Sequence, residues 1–158
     1  MKKWAGCLVL IFALAGNSLF ADTVKFTGFE FAYGPYDIMG APSFELFDID
    51  GLVVKPYLRF DPFVTALQWG IHGEFFPGQF FHFDVPLIGD FGLNDFYAFT
   101  GFRFPIDFSS MAFPAGIGLQ IPLAQEFFIG FRVYANMVVA PVGSASISWD
   151  FSFEYKTF

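Results

Sequence analysis

The chain has 158 residues, enough for one domain, and it is 55% hydrophobic, 23% aromatic and only 15% charged. A soluble domain usually carries about 25% charged residues. The formal net charge of −7 argues against nucleic acid as a partner. Outside the N-terminal segment, no apolar run approaches the roughly 20 residues that a membrane helix requires. Two classes remain: a soluble protein with a large apolar core, and a barrel that crosses a membrane through alternating strands.

The N-terminal segment has the pattern of a cleaved export signal. Lys2 and Lys3 form a basic start, residues 4–15 are apolar, and a polar segment follows. An uncleaved anchor helix is the alternative interpretation. We expect residues 1–21 to be a signal peptide and residues 22–158 to form a single domain. Removal of the two lysines with the signal changes the formal net charge from −7 to −9.

The mature chain offers few groups for covalent chemistry. Cys7 is the single cysteine and lies in the predicted signal, so no disulfide or thiol nucleophile is expected afterwards. Neither histidine has a serine two positions after it, so no His-x-Ser pair occurs. The sequence also has no G-x-S-x-G turn and no glycine-rich phosphate loop. We therefore predict that the protein is not an enzyme and carries no cofactor.

Eight segments of the mature chain alternate between apolar and polar residues, as strands with one apolar face do. Several are longer than the usual length of about 5–6 residues of globular strands. They reach the roughly 9–11 residues that a tilted strand needs to cross a bilayer. Short connections between most of them predict an all-β, antiparallel, up-and-down transmembrane barrel. In chain order, the predicted strands are residues 23–33, 52–60, 64–75, 79–88, 96–108, 111–123, 127–139 and 143–157.

Residues 34–51 leave the strand count open. They could form one long loop, or residues 44–49 could form a short extra strand that ends at an Asp50-Gly51 hairpin turn. Single-chain bacterial barrels normally have even strand counts. Eight strands are therefore the prediction, with nine or ten as alternatives.

The residue types on the two faces indicate which face meets lipid. The apolar positions are dominated by phenylalanine, and a narrow eight-stranded lumen has little room for so many rings. The polar positions are rich in Gly, Ala, Ser and Pro, with scattered charges, and would make a poor water-facing surface. We expect the aromatic face to point outward into lipid. A soluble, lipocalin-like barrel with its apolar face inward is the alternative.

The last predicted strand, together with the signal and the missing cysteine, supports a family resemblance. Trp149, Phe151 and Phe153 share one parity on this strand, and the sequence ends at Phe158. The chain resembles the small outer-membrane barrels of the OmpA transmembrane-domain and OmpX type. That resemblance implies a Gram-negative outer membrane, contact with its lipid, and a terminal Phe158 read by the barrel-assembly machinery. Phe158 departs from the pattern, because its parity is opposite to that of the other aromatic residues.

Two histidines and two carboxylates share the polar parity of neighbouring predicted strands. His72 and Glu74 precede a predicted Pro77-Gly78 hairpin turn, and His82 and Asp84 follow it. This turn would bring the four side chains together, at the end facing outside the cell if both termini are periplasmic. Such a set can bind zinc or copper, or form a proton-sensitive gate. The alternative is a hydrogen-bond and ion-pair ladder inside the lumen.

A second set of polar-parity residues is charged. Buried charges must be paired, so we expect internal ion pairs that fill the lumen, or a gate whose rearrangement opens a small channel. The residues are Lys55, Arg59, Arg103, Arg132, Asp107, Asp150 and Glu154.

These expectations together predict an exported, non-enzymatic, porin-like outer-membrane β-barrel with a structural or narrow-pore role. The alternative function is a soluble periplasmic barrel that binds a hydrophobic ligand.

Overall fold

The computed structural model describes residues 23–46, 49–63, 65–81, 86–88, 91–140 and 143–157. Eight strands of this part close into an antiparallel barrel. Each strand pairs with the barrel strand that precedes it in the chain, and the first pairs with the last. The all-β, up-and-down, eight-stranded barrel is confirmed. The predicted signal peptide, residues 1–21, and Phe158 lie outside the described residues. The barrel strands are β1 (Val24–Tyr33), β2 (Ile38–Leu46), β3 (Leu52–Asp61), β4 (Ala66–Phe75), β7 (Phe96–Pro105), β8 (Met111–Pro122), β9 (Phe127–Ala140) and β10 (Ser144–Lys156).

Residues 34–51 do not form a single loop, because they contain the barrel strand β2. The loop interpretation was wrong, and the alternative strand at residues 44–49 only overlaps the end of β2. The inward positions of β2 hold Met39, Ala41 and Ser43, while Gly40 and Pro42 lie among its outward positions. The hydrophobicity of successive residues therefore hardly alternates in the middle of β2, although their side chains point alternately inward and outward.

The described parts of the predicted strand at residues 79–88, residues 79–81 and 86–88, do not belong to a barrel strand. The short helix α1 (Pro77–Phe80) follows β4, and β5 (Pro86–Ile88) pairs only with β6 (Phe91–Gly92) in a separate two-stranded sheet. A 3₁₀ helix, Leu93–Asp95, then leads into β7, which pairs directly with β4. Prolines lack the ladder donor, and a proline at the first helical position favours helix, so Pro77 begins α1 where a hairpin turn was predicted.

The barrel contains β2 in place of the predicted strand at residues 79–88. This difference changes which connections lie at the same end of the barrel. We call the end that holds Val24 and Lys156 the terminal end. The connection at residues 76–95 lies at this end, because β4 is the fourth strand and runs back toward it. The prediction that this connection faces away from the termini was therefore wrong. Phe76 is buried against the Tyr97 ring, 4.9 Å between ring centroids, and holds the connection over the barrel.

The strands turn their large apolar side chains outward and their polar side chains inward. On β10, Phe151 and Phe153 are exposed, whereas Asp150, Ser152 and Glu154 between them are buried. This strand shows the two-residue period of a β-strand in a closed barrel. No helix in the described residues is long and apolar enough to cross a membrane.

Inward glycines make room for the aromatic rings that lie in the lumen. A Cβ atom at Gly70 would meet the Tyr57 ring, and one at Gly118 would meet the Tyr97 ring. Both tyrosines are buried. The glycines on the polar parity thus allow bulky inward residues to fit a narrow barrel.

Candidate functional site: the charged lumen

A group of buried charges around Lys55, near the terminal end, forms the first half of the site. The Lys55 Nζ atom lies 2.9 Å from Glu30 Oε2, 2.8 Å from Glu74 Oε2 and 3.1 Å from Glu154 Oε2. We call these four residues the lysine cluster. All four are at least 98% buried. One ammonium group therefore serves three carboxylates that have almost no access to water.

Polar neighbours complete the hydrogen bonding of Glu154. The Ser43 hydroxyl donates to Glu154 Oε1 at 3.0 Å, and the Gln120 side-chain amide donates to Glu154 Oε2. Lys156 in turn donates to Gln120 Oε1 at 2.6 Å. Both oxygens of the buried Glu154 carboxyl group therefore have hydrogen-bond donors, as a buried polar group requires.

The second half of the site, the arginine cluster, comprises Asp37, Arg59, Arg132, Tyr134 and Asp150. The Asp150 Oδ2 atom accepts from Arg59 Nη2 at 2.6 Å and from Arg132 Nε at 2.9 Å. Arg59 Nη1 also contacts Asp37 Oδ1 at 3.0 Å and donates to the Tyr134 hydroxyl at 2.7 Å. Charge-assisted bonds of this kind are among the strongest in proteins.

Arg132 joins the two clusters. Its Nη1 atom lies 3.1 Å from Glu30 Oε1 and 3.7 Å from Glu74 Oε1, while its Nε atom bonds to Asp150. The guanidinium group thus spans from one cluster to the other. The ion pairs of the lumen form one connected network.

Asp37 sits at the mouth of the arginine cluster, in the turn between β1 and β2. Burial raises the pKa of its carboxyl above the ordinary value, and the adjacent Arg59 guanidinium lowers it by less. A raised pKa means that the neutral form is favoured relative to an exposed aspartate. Asp37 is also the most exposed carboxylate of the site, with 18% of its side chain accessible against 1–2% for the other four.

Five of the seven predicted lumen charges lie in this network: Lys55, Arg59, Arg132, Asp150 and Glu154. Arg103 points inward and is buried, but no carboxylate among the described residues pairs with it. Asp107 is not a lumen residue. It is exposed in the turn after β7, where its carboxylate accepts from the Ser109 backbone N–H at 3.0 Å, because the ladder of β7 ends at Pro105.

The predicted metal set is described only in part, because His82 and Asp84 lie outside the described residues. His72 Nε2 and Glu74 Oε1 are 3.2 Å apart. Glu30 is a third possible ligand, with the three donor atoms within 4.8 Å of one another. Both carboxylates also contact Lys55 and Arg132. A divalent cation here would compete with two cationic side chains, and metal binding stays a prediction.

Sequence reasoning missed Glu30, Asp37 and Ser43. Glu30 has the parity of the inward residues of β1, but a bulge between Phe26 and Gly28 shifts the alternation of that strand. Asp37 and Ser43 lie in the segment whose strand was not predicted. Their parity relative to Met39 would have indicated the inward face once β2 was known.

A cavity of about 300 Å³ lies at the terminal end, between the connection at residues 76–95 and the lysine cluster. Glu74 and Glu154 belong to its lining and also to that cluster. The cavity is therefore bounded on the lumen side by ion pairs.

Comparison with known proteins gives a fold relationship alone. No family model matches the chain, and no curated protein matches it. The solution NMR structure of the de novo designed protein TMB2.3, a transmembrane β-barrel design, is similar, with a TM-score of 0.53 and 14% sequence identity. The match covers 87% of this chain and 98% of the designed one. It supports a small β-barrel; the resemblance to the OmpA and OmpX type stays a prediction from pattern.

Proposed function

We propose that this chain is a non-enzymatic β-barrel protein of the bacterial outer membrane, with a structural role and a lumen closed by ion pairs. One observation carries the proposal: the barrel strands expose their large apolar side chains and bury eight charged side chains on the inner face. A water-soluble protein normally has the reverse arrangement. In a bilayer the same arrangement places apolar groups against lipid and keeps charges away from it.

The outer face also has aromatic groups toward both ends of the barrel. Trp69 stacks on Phe104, with 5.1 Å between ring centroids, near the end opposite the termini. Phe127 and Tyr155 pair at 5.3 Å near the terminal end. Aromatic girdles at two levels are typical of membrane barrels, where they lie at the lipid–water interfaces.

The alternative, a soluble barrel that binds a hydrophobic ligand, requires an apolar internal cavity. In the described residues, the centre of the lumen is occupied by the lysine and arginine clusters. The cavity at the terminal end is lined by charged groups such as Glu45, Asp50 and Lys156. These features favour the membrane role over ligand binding.

Two matched substitutions test the membrane role. Ile117 and Ile147 are both outward and 68% and 83% exposed, but Ile117 lies in the middle of β8 and Ile147 lies near the β9–β10 turn. Arginine at mid-membrane costs about 2–4 kcal/mol and near an interface about 0–1 kcal/mol. In lipid vesicles, Ile117→Arg should lower the free energy of unfolding by about that larger amount, and Ile147→Arg by the smaller.

A soluble barrel predicts a different outcome, because either arginine would then face water and both variants should be tolerated equally. Heat-modifiable gel mobility and detergent partitioning of the wild type check the barrel and its membrane affinity together. Release from membranes by carbonate without detergent contradicts the proposal. Discrete conductance of the folded protein in planar bilayers contradicts the closed lumen and favours the narrow pore.

A further inference from the structure

Arg103 is a buried cation without an ion pair in the part of the chain that the structure describes. Its side chain points into the lumen from β7, and the residue is only 9% exposed. Among the described residues, no carboxylate lies within 4.0 Å of it and no group forms a hydrogen bond with it. A guanidinium group carries five N–H donors, and an uncompensated buried charge is costly. An additional partner would remove that cost.

Arg59 has an unused donor on the same side of the lumen. Its two terminal nitrogens are bonded to Asp37, Asp150 and Tyr134. Its Nε–H is buried and has no acceptor within the described part of the chain. Arg59 is 5% exposed, so water outside the barrel hardly reaches it.

A small cavity connects the two arginines. Its volume is about 10 Å³, and its lining includes Arg59, Arg103, Arg132 and Asp150. A space of this size holds about one water-sized particle. Two of these arginines are paired with carboxylates outside the lining, Arg59 with Asp37 and Arg132 with Glu30. Arg103 is the guanidinium group of this lining that has no ion pair among the described residues.

We propose that this cavity binds one monatomic anion, chloride in ordinary salt solutions, as the counterion of Arg103 and Arg59. A water molecule would satisfy the free N–H groups but would leave the Arg103 guanidinium group without an ion pair. An anion meets both needs, and its attraction to a guanidinium group is strong where water is excluded. Chloride is larger than water, so its binding requires a shift of the Arg103 side chain, which has no hydrogen bond or ion pair to another described residue.

Bromide can locate the ion directly. Crystals of the wild-type protein grown or soaked in sodium bromide should show an anomalous peak between Arg59 Nε and the Arg103 guanidinium. An empty cavity, or density for a water molecule without anomalous signal, overturns the proposal. This measurement needs no variant and therefore does not depend on whether a substitution folds.

Urea unfolding in detergent micelles tests the site in solution. Sodium chloride should stabilise the wild type more than sodium gluconate at equal ionic strength, and the gain should saturate, because a ligand that binds only the folded state stabilises it. Arg103→Met should weaken the apparent chloride affinity by about tenfold or more. Lys25→Met, which removes an exposed cation outside the cavity, should keep the wild-type response.

An equal chloride response in the wild type and in Arg103→Met overturns the proposal, as does a response that follows ionic strength alone. Neither result bears on the membrane role, which the arginine substitutions on the outer face test separately. Failure of the anion site and failure of the proposed function are therefore distinguishable.

Discussion

The two halves of the lumen differ in the ratio of buried cations to buried carboxylates. In the lysine cluster, one ammonium group faces three carboxylates, so that half has an excess of negative charge. In the arginine cluster, Arg59 and Arg132 face Asp37 and Asp150. Arg103, which has no ion pair among the described residues, lines the same small cavity as these arginines. Arg132 reaches from the second half to Glu30 and Glu74 in the first. The lysine cluster has more negative than positive charge and receives a second cation, Arg132, from the arginine cluster, so the lumen is stabilised as one network.

The largest effect is expected from Lys55→Met, which removes the only cation inside the lysine cluster. Three buried carboxylates would then depend on Arg132 and on neutral donors. Breaking a buried ion pair from one side costs about 3–5 kcal/mol. Urea unfolding in lipid vesicles should show a loss of that order or a failure to fold. Addition of Glu154→Gln should recover part of it, because one unpaired charge is removed.

Lys25→Met is the matched control for Lys55→Met, since Lys25 is an exposed cation on β1. It should change the free energy of unfolding by less than about 0.5 kcal/mol. Equal losses in the two variants would contradict a coupled network and would indicate that Lys55 acts only as a surface charge does.

A smaller effect is expected from Asp150→Asn in the arginine cluster. The amide retains the shape of the carboxylate but weakens the bonds from Arg59 and Arg132, which are 2.6 and 2.9 Å long. Hydrogen bonds to charged groups contribute about 1.5–3 kcal/mol. A loss of this size should appear in the same unfolding titration. The exposed Asp50, as Asp50→Asn, is the control, and a loss there as large as at Asp150 would contradict the assignment.

Sequence pattern predicted the fold best where the two faces of a strand differ strongly in chemistry. Predicted residues 143–157 became β10 (Ser144–Lys156), and predicted residues 127–139 became β9 (Phe127–Ala140). Pattern failed at β2, whose inward methionine, alanine and serine resemble its outward glycine and proline in polarity. It failed at residues 79–88 for the opposite reason: the apolar residues alternate there, but β4 pairs with β7 instead.

The candidate site was predictable in its charges and not in its pairings. Parity placed Lys55, Arg132 and Asp150 inward, because a strand in a closed barrel has only two faces. Which cation meets which carboxylate depends on register and on barrel closure. The pair Lys55–Glu30, for example, joins β3 to β1 across β2. No local pattern contains that information.

The smallest effect is expected at Asp107, which tests the difference between lumen charges and exposed ones. Parity assigned Asp107 to the lumen, but the residue is exposed in the turn after β7. Asp107→Asn should therefore leave the unfolding midpoint almost unchanged, in contrast to Asp150→Asn. A loss as large as the one at Asp150 would contradict the exposed position.

The pH dependence of Asp107 gives a finer measurement. The hydrogen bond from the Ser109 backbone N–H lowers the pKa of Asp107 below its ordinary value of 3.8. Because the folded-state pKa is the lower one, the small stabilisation is present above pH 3.8 and is lost as the pH falls through the lowered pKa. An NMR titration of the carboxyl in micelles should find its midpoint below that of an unfolded peptide with the same sequence. A midpoint at or above the peptide value would show that the turn does not stabilise the Asp107 carboxylate. Burial alone would then distinguish the charges of the lumen from this exposed one.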